Sequence, residues 1–316
     1  MLDLIFDHRK VVIQEFLKTR KHAYSGTREK LRQRVEGYLD DGSVRADELV
    51  ELLNRVEGWG NQHIFLYKAP AALIDRWNTE AKVRASLRTQ GQEMLFNRPR
   101  PLVLPKAPQL CSVEWTPTRA RLVWVEKRVW RERAPEEDFG RDDLEFTASR
   151  VRRSRGLIAF DWDLVSGDAA LLIERLPTGN DYGAERRRFE LELEPLVKIS
   201  KFEGVYVSSA IPGIEKSGEV RHRQLEHATE RGARISFVSR AKNVCALADP
   251  ALRKARDALG DALAGRHGNY YWPMPGEEPR EVHVKLYAKD QRLALFGECS
   301  EGEVRHVLRC VRGHCC

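Results

Sequence analysis

Four prolines between residues 98 and 109, in RPRPLVLPKAPQ, constrain this chain more than any other stretch. Each lacks a backbone N–H and fixes φ, so neither a helix interior nor a central strand can run through the segment. A linker is expected there, with a domain boundary near 105. At 316 residues and 42% hydrophobic composition the chain can bury a sizeable core, and ordinary domain sizes suggest two domains or three.

Upstream, residues 8 to 42 read as two short helices joined by a turn. Val12, Phe16 and Leu17 share a face in the first, and Leu31, Val35, Tyr38 and Leu39 repeat at helical spacing in the second. In the intervening HAYSGTREK, Ser25 suits an N-cap, Gly26 a tight turn and Glu29 a first helical turn, while Gly42 ends the helix. A third helix is expected from Ala46 to Val56, then a strand in HIFLYK. Beyond the linker, ARLVWVEKRVW and EFTASRVRRSRGLIAFDW read as strands around a charged loop, RERAPEEDFGRDD. From about 200 the texture alternates. GVYVSSA reads as strand, VRHRQLEHATERG as helix, ARISFVSR as strand, PALRKARDALGDALAG as helix, and EVHVKLYA with RLALFG as a closing strand pair. That order is the mark of an α/β sheet. The expected fold class is therefore α+β / α/β. It comprises a helical module (1–68), a helical segment with the Pro-rich linker (69–109), a β-rich middle region (110–195) and an α/β domain (196–316).

Lys and Arg outnumber Asp and Glu by 54 to 47, giving +7 and a pI near 9.1. This balance favours an anionic partner, nucleic acid first. The start, MLDLIFDHRK, lacks a charged leader followed by a long apolar run, and nowhere do about 18 apolar residues run together. A soluble, cytoplasmic protein with no membrane partner is expected. The six cysteines do not form a secreted disulfide framework. Cys299, His306, Cys310, His314, Cys315 and Cys316 are zinc-type ligands without C-x2-C spacing. The expectation is a frayed end with exposed thiols, with no metal and no cofactor.

Lys18, Arg20, Lys21, Arg28, Lys30, Arg32 and Arg34 gather seven cations around a helix N-terminus, where backbone N–H groups and the helix dipole favour phosphate. The stretch EFLKTRKHAYSGTREKLRQRV, with Ser25, Gly26, Thr27 and Arg28 at its turn, resembles the SAP motif. The resemblance covers about a tenth of the chain and implies DNA binding by residues 1–68. The plainer alternative is a solvated face on a small helical bundle.

HVKLYAKDQRLALFG fits H-x-K-x4-D, with Gly297 following after six more residues, and resembles the phospholipase D superfamily. A strand carrying His283 and Lys285 two apart aims both at one phosphate. The resemblance implies a metal-independent phosphodiesterase or nuclease in residues 196–316. His283 would form a phosphohistidine, Lys285 would hold the phosphoryl oxygens, and Asp290 would organise the loop. Glu298, Glu301 or Glu303 would orient His283. The motif occurs once, and single-copy members complete their site by dimerising, so a homodimer on DNA is implied. Two plainer readings remain open: a β-hairpin with three solvent-facing polar residues, and a non-enzymatic DNA-binding protein whose C-terminal domain is decayed or unrelated.

Asp161 and Asp163 in DWD could hold Mg²⁺, or simply end a strand before a turn. NYYWP at 269 to 273, with Trp59, Trp115, Trp124 and Trp130, offers stacking surfaces for bases, or ordinary packing.

Overall fold

The computed structural model describes residues 2–8, 10–100, 104–134, 139–141, 144–177, 179–229, 232–239, 244–259, 263–275 and 280–315. Part of the expected linker (101–103), parts of the charged loop and Cys316 lie outside them.

Helices α1 (Leu2–Asp7), α2 (Lys10–Thr19), α3 (Arg28–Asp40) and α4 (Ala46–Glu57) enclose a core of their own. Leu17, Leu31, Val35, Leu49 and Leu53 fill it, the positions that a 3.6-residue period places on one side. The cap differs from expectation: Thr27, not Ser25, accepts the Lys30 amide at 3.3 Å. Gly26 adopts φ +133°, a conformation open to glycine, and carries the chain past Ser25 into that cap.

There follow β1 (Gln62–Lys68), α5 (Ala71–Ile74), α6 (Glu80–Thr89), β2 (Gln109–Thr116), β3 (Arg119–Arg133), β4 (Phe139–Arg141), β5 (Leu144–Phe146), β6 (Ser149–Asp163) and β7 (Asp168–Glu174). The remainder is α7 (Tyr182–Val197), β8 (Glu203–Gly204), α8 (Ala210–Ser217), β9 (Arg221–Thr229), β10 (Arg234–Val238), α9 (Pro250–Leu259), β11 (Leu263–Pro273), β12 (Glu281–Tyr287), β13 (Arg292–Phe296) and α10 (Glu301–Gly313). Among the described residues one sheet runs β10, β9, β11, β12, β13, β1, β7, β6, β3, β2, with β8 beside β1, and β4 pairs with β5 separately.

The fold is mixed α and β around a large antiparallel sheet, which corrects the expected α/β alternation. The ladders joining these strands are antiparallel, so turns and returning segments replace the helical crossovers that parallel strands require. VRHRQLEHATERG, expected as helix, supplies strand β9. GVYVSSA, expected as strand, is a turn leading into α8, and the helix expected to reach Gly265 gives way to β11. The C-terminus, expected to fray, forms α10, whose Ser300 and Glu303 make a reciprocal capping box. The sheet draws strands from both sides of the expected divisions at 68/69 and 195/196, because β1 lies between β13 and β7.

One face of the sheet is covered along its length by a core that includes Ile64, Leu172, Val284, Leu295, Ile211, Val304 and Val307. The other face is covered only in part. A second core, with Phe65, Leu171, Phe160 and Trp162 against Phe189 and Val83, spans the β1, β7, β6, β3 and β2 half. Beyond β1, the side chains of β13, β12, β11 and β9 on that face join neither core; those of β12, β11 and β9 stay half-exposed with Phe296, while Arg292 and Ala294 of β13 are buried.

Candidate functional site

Strand β12 alternates strictly. Val282, Val284 and Leu286 enter the covered core, while His283, Lys285 and Tyr287 stand on the open face. Cross-strand register builds that face in rows. Tyr271, His283 and Phe296 are directly opposite one another, as are Asn269, Lys285 and Ala294, then His267, Tyr287 and Arg292.

The first row is a ring stack. Tyr271 and His283 have centroids 4.8 Å apart and planes 14° from parallel, and Phe296 covers the other side of His283 at 4.6 Å. Nε2 of His283 lies 2.5 Å from Oδ1 of Asn269. An amide oxygen only accepts, so Nε2 carries the hydrogen and Nδ1 carries the lone pair. Burial lowers the His283 pKa below its usual range, and Arg223, Lys285 and Arg221 lower it further. Arg223 is the extra residue of a β-bulge in β9, since Asn269 opposes Gln224 while Tyr270 opposes His222. Among the described residues Lys285 and Arg223 have no ion pair, and Nη1 of Arg223 is buried without a hydrogen-bond partner. Arg221 pairs with Glu281 and stacks on Tyr271 at 4.0 Å.

Of the expected catalytic set, the fold brings together two. His283 and Lys285 are neighbours on one face. Asp290 lies in the turn beyond β12 and binds Arg292 Nε at 3.0 Å, and Glu298 follows the opposite end of the hairpin. The carboxylate expected to orient His283 is replaced by the Asn269 amide. Glu301 pairs with Arg119 and Arg305, and Glu303 with Arg280 and the Ser300 amide. Gly297 has a structural duty: at φ +91° it exchanges hydrogen bonds with Asn61, donating to Oδ1 at 2.8 Å and accepting from the backbone N–H at 2.9 Å.

No family model matches the chain, and no curated protein matches it.

The N-terminal cations are partly engaged within the module. Arg20 pairs with Glu48 at 3.0 Å over the Phe16 ring, and Arg32 pairs with Asp3 and Glu36. Arg28 bonds the carbonyl of His8, and Arg34 that of Ser25. Lys18, Lys21 and Lys30 make no ion pair among the described residues, and Lys21 and Lys30 are exposed. Asp161 binds Arg119 and Arg305, while Asp163 accepts the Val165 and Ser166 amides, which is the strand-ending role. Among the described residues no group of three or more metal-type ligands is placed to hold an ion. Trp59, Trp124 and Trp272 are packed inside, and of the NYYWP run Asn269 and Tyr271 face outward.

Sequence reasoning missed Arg223, Asn269 and Phe296 as members of the site. The legible signal was alternation: Asn269 with Tyr271, and Lys285 with Tyr287, each two apart on neighbouring strands.

Proposed function

We propose that the chain binds nucleic acid through the open face of β9, β11, β12 and β13 without cleaving it. The observation that carries this reading is the charge around His283. Three cations surround its ring, two of them without a carboxylate partner among the described residues, and its own hydrogen bond goes to a neutral amide. An unneutralised cation cluster on an open surface is a phosphate site in physical terms. The excess of 54 basic over 47 acidic residues acts in the same direction at long range.

Fluorescence anisotropy with a labelled 30-base DNA strand across a salt series tests it. Lys285→Ala and Arg223→Ala should each weaken binding and shallow the salt dependence by roughly one released counterion. Wild-type protein that binds no strand at low salt overturns the reading.

A second reading retains the enzyme, because His283 and Lys285 share one face of one strand as phosphoryl transfer requires. One chain supplies a single histidine of this kind, so a homodimer would complete the site. DNA cleavage in EDTA that disappears in His283→Ala, together with a dimeric mass, would favour this second reading over the first.

A further inference from the structure

We propose that the free end of the β3 and β6 ladder is an arm for duplex DNA, docking its basic face in the major groove. The two strands stay paired as far as Arg133 with Ser149, but their neighbours stop short. Strand β2 pairs with β3 no further than Val125, and β7 with β6 no further than Ile158. Residues 127–133 and 149–155 therefore continue as a two-stranded stem, about 23 Å long at 3.3 Å per residue.

The foot of this stem is fixed on both faces. On one, Arg155 is buried against Glu57 and Asn54 of α4. On the other, Arg128 is buried and bonds the Glu174 and Arg175 carbonyls at 3.3 and 3.2 Å. Gly156 makes room for that guanidinium, since a Cβ there would meet Arg128 Nε at 2.2 Å. The stem is thereby held at a set angle to the sheet.

Alternation sorts the stem's side chains by charge. One face carries Lys127, Arg131, Arg133 and Arg153 with Val129 and Val151 between them, and no carboxylate. Lys127, Arg131 and Arg153 are exposed and make no ion pair among the described residues. Glu132 stands on the other face, where it pairs with Arg152 at 2.5 Å. The basic face belongs to the side of the sheet opposite His283 and Lys285, because Val123 and Val125, in the same alternation, enter the core that Val284 enters. It is thus a second surface, separate from the open face.

A guanidinium fits phosphate oxygens or the O6 and N7 of guanine, and an apolar side chain packs against the thymine methyl group. Val129 and Val151 are 55% and 56% exposed, so more than half of each is left to a partner. The major groove of B-DNA, about 12 Å wide, admits a two-stranded ribbon and presents all of these groups. The loop that closes the hairpin carries Glu136, Glu137, Asp138, Asp142 and Asp143, which phosphate repels, so the stem makes the contact and not the tip. The A-form major groove is too deep and narrow for side chains to read, which makes duplex RNA the discriminating comparison.

The test is fluorescence anisotropy on the full chain with three labelled ligands of one sequence and length: the DNA duplex, the RNA duplex and the single DNA strand. The DNA duplex should bind most tightly. Lys127→Ala, Arg131→Ala and Arg153→Ala combined should weaken it at least roughly tenfold and lower its salt slope by about three. Melting curves should stay near wild type, because these side chains make no ion pair among the described residues. Removing the same charge at exposed Lys106, Lys201 and Lys254 should cost far less. Equal losses in the two triple variants would reduce the effect to net charge and overturn the inference. Duplex RNA bound as tightly as duplex DNA overturns it as well. Poly-glutamate that displaces the duplex as well as unlabelled DNA does would overturn it in favour of an acidic protein segment. A single strand bound without the duplex overturns the inference and leaves the open-face reading standing. A duplex bound without the single strand, and released by the Lys127, Arg131 and Arg153 changes, removes the open-face reading and leaves the stem. The comparison of duplexes on wild-type protein decides the matter even if a variant fails to fold.

Discussion

Lys285 and Asn269 face each other directly across the β11 and β12 ladder, and Asn269 reaches diagonally to hold the ring of His283. The lysine and the histidine are thereby fixed in one environment, which makes the imidazole a reporter of the charge around it. Since burial and the three cations all lower its pKa, the imidazole should titrate below 6.5 in NMR spectra. Lys285→Ala should move that titration upward, as should a bound oligonucleotide, because either reduces the local positive potential. A titration unmoved by both changes would place the cations elsewhere.

The N-terminal module separates into two kinds of cation. Replacing Lys18, Lys21 and Lys30 with Ala should leave thermal stability near wild type, because these lysines make no ion pair among the described residues. If the module touches DNA, the same triple variant should lower affinity uniformly across sequences and flatten the salt slope by about three. Arg20→Ala should instead lower the melting temperature, since it removes both the Glu48 pair and the cover over Phe16.

Glu57 of α4 pairs with Arg155 of β6, both buried, with His8 Nε2 at 3.6 Å from the same carboxylate. Burial pushes the Arg155 guanidinium down to about 10. Glu57→Ala removes the carboxylate that faces this cation and should cost about 3 kcal/mol in urea unfolding. Adding Arg155→Met should restore part of that loss, and a double variant no better than the single would deny the coupling.

Acid should destabilise the protein well above the range where carboxylates protonate. Burial holds His63 down to about 3 and His222 to about 4, so the folded state keeps both neutral while the unfolded chain protonates them near 6.5. The unfolded state therefore binds more protons between these values, and stability falls as pH drops through that window, by about 2 kcal/mol per histidine at pH 4.5. Glu215 opposes the trend. It is buried with His227 Nε2 at 3.3 Å and Arg256 Nε at 3.8 Å, and burial pushes it up to about 7. It is easier to bury protonated, so it favours the fold at pH 5 over pH 8. Glu215→Gln should make the loss from pH 7 to pH 5 steeper in urea midpoints, and an unchanged or shallower slope would contradict the assignment.

The helical module was legible because Leu31, Val35, Leu49 and Leu53 repeat at the period of the helix they form. Strand β12 was legible because Val282, Val284 and Leu286 alternate without interruption. Strand β9 was not, and the bulge explains why. Inserting Arg223 stretches the spacing between its inward residues His222 and Leu225 to three, which is a helical interval, and only Leu225 to His227 keeps the interval of two. Helix α10 carried its sign in full, with Ser300 and Glu303 as a capping box before Val304, Val307, Leu308 and Val311. The surplus of Cys and His there drew attention to metal chemistry and away from that periodicity. Within the site, His283 and Lys285 were visible from spacing alone. Asn269 and Arg223 were not, because their roles depend on which strands become neighbours.

Strand β1 bears on the order in which the molecule can be made. Gly297 and Asn61 bond across 236 positions of chain, and His63 pairs with Ala294 beside them. During synthesis the segment 62–68 can meet β7 once residue 174 has emerged, and β8 can take the Tyr67 and Lys68 end of its other edge once residue 204 has, but the His63 and Ile64 end stays unpaired until β13 is made. An exposed strand edge recruits other strands, so the nascent chain carries an adhesive seam until β13 is made. Closing so distant a pair also delays the final folding step. A chain truncated before β13 would keep that seam permanently, and aggregation rather than a folded fragment is what it should yield.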